Sequence, residues 1–146
     1  MTPVLAPAPF TCAELRAALR ACSDGVTVLT TTGEEPYGIA AGPFTEVSMD
    51  PPVVLGSVSA SAAQVVERSG VFAVNVLPGG QEWLAHRFTG QHGAAAFDEV
   101  AWLPGKTAAP VLLDARFTLE CELTLTFPAG TETLLVGEVR GLERVP

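Results

Sequence analysis

Thr118-Leu119-Glu120-Cys121-Glu122-Leu123-Thr124-Leu125-Thr126-Phe127 alternates polar and apolar side chains without a break. Successive side chains of an extended chain point to opposite faces, so this run reads as a strand with one face in a core and the other in water. Pro128-Ala129-Gly130 turns the chain, and residues 132–142 can pair back on it. Upstream, residues 26–32 are rich in β-branched side chains, Gly33-Glu34-Glu35-Pro36 ends them, and residues 37–41 return as a hairpin. Gly42-Pro43 interrupts, and residues 44–49 resume in extended form up to Asp50-Pro51-Pro52. Residues 53–58 suit a strand buried on both faces, and residues 71–77 form another.

Helices punctuate these strands. Thr11-Cys12-Ala13-Glu14 is a capping box, with the hydroxyl and the carboxylate each satisfying an orphan amide. Leu15, Ala18, Leu19 and Cys22 follow at i, i+3, i+4 and i+7, an apolar stripe that ends near Asp24-Gly25. Ser61-Ala62-Ala63-Gln64 reads as a second capping box, opening a helix that closes at Ser69-Gly70. Gly79-Gly80 leads into a third helix over residues 81–88, and residues 89–109 read as irregular. Residues 1–10 are a proline-rich, loose lead-in to one domain over residues 1–146. The expectation is a mainly β fold of six or seven strands with two or three short helices. Closing the sheet into a small barrel would remove its exposed edges.

Composition narrows the partners. Hydrophobic residues make up 48% of the 146 and charged ones 16%, enough apolar side chains to fill a core and too many for disorder. The formal net charge of −8, with Lys106 the single lysine, repels phosphate backbones and anionic lipid; neither nucleic acid nor a membrane is expected as partner. The N-terminus lacks the basic and apolar regions of a signal peptide, and no apolar run approaches the ~20 residues of a membrane span. Cys12, Cys22 and Cys121, odd in number and far apart, read as reduced, buried small residues of a cytoplasmic protein. Arginine in place of lysine and abundant Ala and Gly point to a high-GC bacterial source.

No nucleophile elbow, phosphate-binding glycine loop, zinc-protease helix or dinucleotide fingerprint occurs. His86 and His92 are the only histidines, too few for a metal centre. His86 reads as a surface or half-buried residue beside Arg87, and His92 lies in a loop. Cys121 reads as a packed thiol, and Glu34-Glu35 and Asp98-Glu99 as solvated charges.

Three stretches, taken in order, resemble the flavin reductase-like family, the FMN-binding split barrels that include reductase partners of two-component monooxygenases. They are Asp24-Gly25-Val26-Thr27-Val28-Leu29-Thr30-Thr31, Phe44-Thr45-Glu46-Val47-Ser48-Met49-Asp50-Pro51-Pro52-Val53-Val54, and Ser69-Gly70-Val71-Phe72-Ala73-Val74-Asn75-Val76-Leu77. Residues 81–88, Ala109-Pro110-Val111-Leu112, Leu119-Glu120-Cys121 and Thr133-Leu134-Leu135-Val136-Gly137-Glu138-Val139 follow in the family's spacing, so the likeness runs from about residue 14 to 143. It implies a Greek-key-like split β-barrel and a homodimer that holds FMN (or FAD) near the subunit interface. It also implies NAD(P)H as electron donor and a flavin-dependent monooxygenase that receives the reduced flavin. By the same resemblance, Ala40, Ala41, Gly42, Pro43, Phe44 and Thr45, with Ser48, frame the ring. Ser57, Ser59 and Ser61 meet the phosphate at a helix start, where amides and the helix dipole favour an anion, and Arg87 is the nearest cation.

The sequence departs from the pattern at those places. Ala40-Ala41-Gly42-Pro43 stands where the family has Thr-x-Asn-Ser, so two side-chain hydrogen-bonding groups are gone and Pro43 also lacks an N–H. Each lost hydrogen bond to the ring is worth about 1 kcal/mol. The segment Ser57 to Ala63 is about two residues shorter than usual and carries no basic residue. Glu132, in Gly130-Thr131-Glu132-Thr133, occupies the family's usual His position, an anionic group in place of an imidazole. The chain stops at Pro146, short of a terminal strand that many relatives carry. A second reading therefore stays open: a divergent member without reductase activity that holds another planar aromatic ligand, as an accessory or cyclase-like protein of a secondary pathway.

Overall fold

The computed structural model describes residues 10–144, and the lead-in expected over residues 1–10 lies outside them except for Phe10. In chain order the elements are helix α1 (Cys12–Asp24), strands β1 (Val26–Thr32), β2 (Pro36–Ala41), β3 (Thr45–Met49) and β4 (Pro52–Ser59), helix α2 (Ala60–Ser69), strand β5 (Val71–Leu77) and helix α3 (Glu82–Gly90). A 3₁₀ turn (Ala94–Phe97) and strands β6 (Trp102–Pro104), β7 (Pro110–Leu112), β8 (Phe117–Ala129) and β9 (Glu132–Arg144) complete them. Seven strands form one antiparallel sheet in the order β2-β1-β5-β8-β9-β4-β3, and β6 pairs with β7 alone. The barrel is split between β2 and β3, the two ends of that order.

One apolar cluster fills the inside of the curved sheet. Phe44 and Phe72 meet there with ring centroids 5.8 Å apart, among Leu29, Val54, Val74, Leu119 and Leu135. Two glycines make the room: a Cβ on Gly56 would strike the Phe44 ring, and one on Gly137 would strike Phe72. The stripe Leu15, Ala18, Leu19 and Cys22 of α1 is buried in the same cluster, with the capping box formed as expected. On the other face of β1 a second cluster gathers Val28, Leu84, Ala85, Phe88 and Phe97, so α3 packs there.

The two clusters are tied by a buried amide. Asn75 of β5 donates to the Val28 carbonyl (3.0 Å) and the Thr30 hydroxyl (2.9 Å), and its oxygen accepts from the Leu112 N–H and the Thr118 hydroxyl, both at 3.0 Å. Two donors and two lone pairs are all used. Thr30 in turn donates to the Pro110 carbonyl at 2.6 Å, which fastens β7 to the sheet.

Four local expectations are corrected. The cap of α2 is Ser59, not Ser61: the last residue of β4 is already extended, and its hydroxyl accepts from the Ala62 N–H. Strand β4 alternates buried and half-buried residues and is not covered on both faces. Residues 89–109 contain the 3₁₀ turn and β6. The alternation in β8 holds only through Leu123, because the register with β9 shifts between Leu123 and Leu125. That bulge inserts one residue and flips the phase, leaving Leu125 and Phe127 49% and 60% exposed. At the other end of β8, Thr118 and Glu120 are buried on the face that the alternation assigned to water.

No helix among the described residues is long and apolar enough to cross a membrane. Asn75→Ala is expected to destabilise the fold by about 3 kcal/mol, since several buried groups lose their partner at once. Urea denaturation of both proteins measures it, and a loss below about 1 kcal/mol would contradict the role given to the amide.

Candidate functional site

The β2–β3 connection is fixed from below. Thr27 in β1 aims its hydroxyl at the carbonyls of Ala41 (2.6 Å) and Gly42 (3.0 Å), holding the end of β2. The Phe44 N–H donates to the Cys22 sulfur at 3.2 Å, and the ring is buried over Gly56. Burial pushes the Cys22 thiol up, so it stays protonated. Between these anchors Gly42 and Pro43 are exposed, and a Cβ on Gly42 would meet open space. The loop thus presents backbone, held at both ends, beside an open volume.

The β3–β4 ladder decides what lies next to it. Thr45 pairs with Leu55 and Glu46 with Val54. Continued by two residues, that register sets Pro43 opposite Ser57. Residues 41–45 therefore run beside the end of β4, where Ser57 and Ser59 are half-buried. Ser59 caps α2 and stands 3.3 Å from the Ser61 hydroxyl, which is exposed. The first turn of α2 has no acidic residue, and the amides of a first helical turn have no intrahelical partner. Hydroxyls and amides converge on a positive helix end, a surface suited to an anion.

Its electrostatics are not simple. Across the β4–β9 ladder Ser59 pairs with Glu132, which is exposed. A carboxylate one strand away opposes the helix end, attenuated by water at an exposed site.

Not every residue named from the sequence joins this group. Arg87 is half-buried on α3, its Nε donating to the Ala96 carbonyl at 3.3 Å, and α3 belongs to the cluster on the opposite face of β1 from α2. The structure does not bring it to Ser57, Ser59 and Ser61. Ala40 pairs with Val28 and so shares the α3 side, while Ala41 packs on the inner cluster. His86 is exposed, and His92 is half-buried against Tyr37 with its Nδ1 3.2 Å from the Gly38 carbonyl.

Three residues near the loop went unread in the sequence. Thr27 looked like one more β-branched strand residue, and its hydroxyl shows a role only once β2 lies beside it. Arg16 and Arg20 stand at i and i+4 on α1, the one available signal, and line a hollow of about 260 Å³ with Ser23, Phe44, Thr45 and Glu46. Arg16 is 3.3 Å from Glu46 there. A larger hollow of about 450 Å³, lined by Glu34, Glu35, Tyr37, Val65 and Arg68, contains none of the expected site residues.

Comparison with known proteins bears on this geometry. The model of the family described as "Flavin reductase like domain" matches residues 19–145. The NADH-dependent FAD reductase of Streptomyces globisporus is 36% identical over 157 aligned positions, covering 100% of this chain and 86% of that protein. The FMN reductase (NADH) SmoA of Agrobacterium fabrum is 38% identical over 127 positions, 85% of this chain and 72% of that protein. Among solved structures, nitrilotriacetate monooxygenase component B from Mycobacterium thermoresistibile superposes with a TM-score of 0.77 at 29% identity, over 92% of this chain and 78% of that one.

Ser59→Ala is expected to cost about 1 kcal/mol of stability as a lost helix cap. Ser61→Ala, which removes an exposed hydroxyl, is expected to change stability by less than about 0.5 kcal/mol. Thermal unfolding of the two variants separates them: equal losses would contradict the cap at Ser59, and a larger loss in Ser61→Ala would return it to Ser61.

Proposed function

The chain belongs to the flavin reductase-like family, and from that premise we propose that it binds FMN (or FAD) and reduces it with NAD(P)H, supplying reduced flavin to a partner monooxygenase. We read the whole chain as one such domain, working as a homodimer in the bacterial cytoplasm. The observation that carries the reading is the β3–β4 register, which runs the open backbone of residues 41–45 beside the hydroxyls and helix end at Ser57, Ser59 and Ser61. Those groups fit a flavin: a polar helix end with the partial positive charge of its free amides for the phosphate, and an unobstructed loop at Gly42 for the ring.

In this reading Ser59, Ser61 and the first-turn amides of α2 hold the phosphate. The Ala41 and Gly42 backbone, fixed by Thr27, borders the ring, with Phe44 packed beneath the loop and Thr45 exposed beyond it. A flavin held there would supply the acceptor for the hydride of a reduced nicotinamide, so the residues of the chain supply position and shielding and no covalent nucleophile. Without the side-chain donors expected at residues 40–43, the loop contributes backbone contacts only, and the ring is held loosely enough to leave as a product. Glu132 lowers the affinity for anions near Ser59 in the same direction. Arg87 has no part in this reading.

The names of two relatives support the flavin and the nicotinamide donor, since they specify NADH with FAD or FMN. A monooxygenase partner rests on the component B relative. Three free cysteines, Cys22 and Cys121 buried as expected and Cys12 exposed at the start of α1 instead of buried, accord with a reducing compartment.

The homodimer is supported by a surface. The ladders align Leu55, Val136 and Leu125 in one row and Ser57, Leu134 and Phe127 in the next. Beyond them Arg140 lies 3.4 Å from Glu122 and 3.6 Å from Glu138, a polar border to an apolar outer face. A second subunit on this face would cover Leu125 and Phe127 close to Ser57.

NADH oxidation should depend on added FMN or FAD, and the double variant Ser59→Ala with Ser61→Ala should bind FMN at least tenfold more weakly in a fluorescence titration while keeping its circular dichroism spectrum. Background oxidation at micromolar flavin would favour the reading without reductase activity; unchanged affinity would remove the phosphate assignment. Phe127→Arg should convert the dimer to a monomer in sedimentation velocity. A native protein that sediments as a monomer would refute the assembly.

A further inference from the structure

Glu120 is fully buried in β8, yet only half of its carboxylate is engaged. Its Oε1 accepts from the Thr107 N–H at 3.1 Å and the Thr107 hydroxyl at 3.0 Å, whereas Oε2 has no donor among the described residues. A buried carboxylate oxygen without a partner is unfavourable, so a donor is to be sought beside it. In the β8–β9 ladder Glu120 stands opposite Gly141, and Glu143 opposite Thr118. The two glutamates are therefore diagonal neighbours on one face. Gly141 puts no side chain between them: Oε2 lies 3.7 Å from where its Cβ would be, and the register sets Glu143 diagonally beside it. Two carboxylates can bond only when one of them carries a proton.

We propose that Glu120 and Glu143 share one proton, held on Glu143 and donated to Oε2 of Glu120, and that this pair clasps the loop of residues 105–109 and the β6–β7 hairpin onto the sheet. The loop is shaped to the clasp. Gly105 passes so close to the Glu120 carboxylate that a Cβ would overlap Oε1. Thr107 then closes on the same oxygen with both of its donors. Outside the loop a hollow of about 410 Å³, lined by Leu103, Gly105, Lys106, Val111, Leu113 and Glu143, gives it room to move away.

The charged and titratable neighbours set the direction. Lys106 faces the pair from the loop, its Cδ 3.9 Å from the Gly141 Cβ position. Arg144, at the end of β9, is 3.8 Å from Glu14 on α1. The Cys121 thiol, next to Glu120, is pushed up by burial and by that carboxylate and stays neutral. Glu143 is raised above the ordinary carboxylate value by burial, then by the bond to Glu120 and its charge, with Lys106 opposing. Because the folded value is the higher one, the clasp is complete below the ordinary carboxylate range and is lost as pH rises through the raised value. Above it two negative charges face each other and the loop loosens. The clasp is independent of the flavin reading.

Hydrogen exchange of the loop amides, measured on the full chain at pH 5 and pH 8 and corrected for the intrinsic rate, tests it. Protection over residues 105–109 should fall at least threefold at pH 8 while β5 is unchanged. Glu143→Gln, whose amide donates at every pH, should flatten that difference. Equal protection at both pH values, or the same fall in Glu143→Gln, would overturn the clasp. Should that variant fail to fold, carbon-13 titration of the Glu143 carboxyl in the native protein decides. An elevated apparent pKa supports the shared proton, and an ordinary one refutes it.

Discussion

A single buried amide holds the architecture together. Asn75 lies in the middle of β5, between β1 and β8, and bonds to both strands and to β7. In an apolar setting each of these groups would be costly alone, and together they are satisfied in one arrangement only. That arrangement sets the distance from the sheet to the β6–β7 hairpin, and so creates the enclosed face on which Thr118 and Glu120 are buried. Remove the amide and both the hairpin and the polar pocket beneath it lose their reference point.

The second constraint is steric. Phe44 and Phe72 need more room inside the curved sheet than side chains on β4 and β9 would leave, and Gly56 and Gly137 provide it. Phe44 is at once a core residue and the anchor of the β2–β3 connection. The packing that stabilises the interior thereby fixes the backbone of residues 41–45 beside the helix end at Ser59. Core and candidate site are coupled through one ring, which explains how a loop with no polar side chains at residues 40–43 can still have a defined course.

The bulge in β8 does similar work on the outside. By moving Leu125 and Phe127 to the outer face, it gathers apolar side chains from three strands into one patch that ends at Ser57. The same strand is an interior wall at one end and an exposed apolar surface at the other.

Local chemistry was written in the sequence. The Thr11 and Glu14 capping box, the α1 stripe, the hairpin turns and most strand bounds follow from nearest neighbours and periodicity, which act along the chain. The ordered motifs around Phe44 and Asn75 also identified the family. Tertiary structure alone decided the rest. Ser59 and Ser61 are equivalent as helix starts until β4 pairs and makes Ser59 the extended cap. An alternating strand cannot announce a bulge, because the extra residue is set by the partner's register. Arg87 looked like a site cation in sequence order but faces the other side of β1. Thr27, Glu120 and Glu143 became meaningful only through residues far away in the chain. Periodicity reports which side chains share a face, whereas burial and pairing depend on what another strand brings to that face.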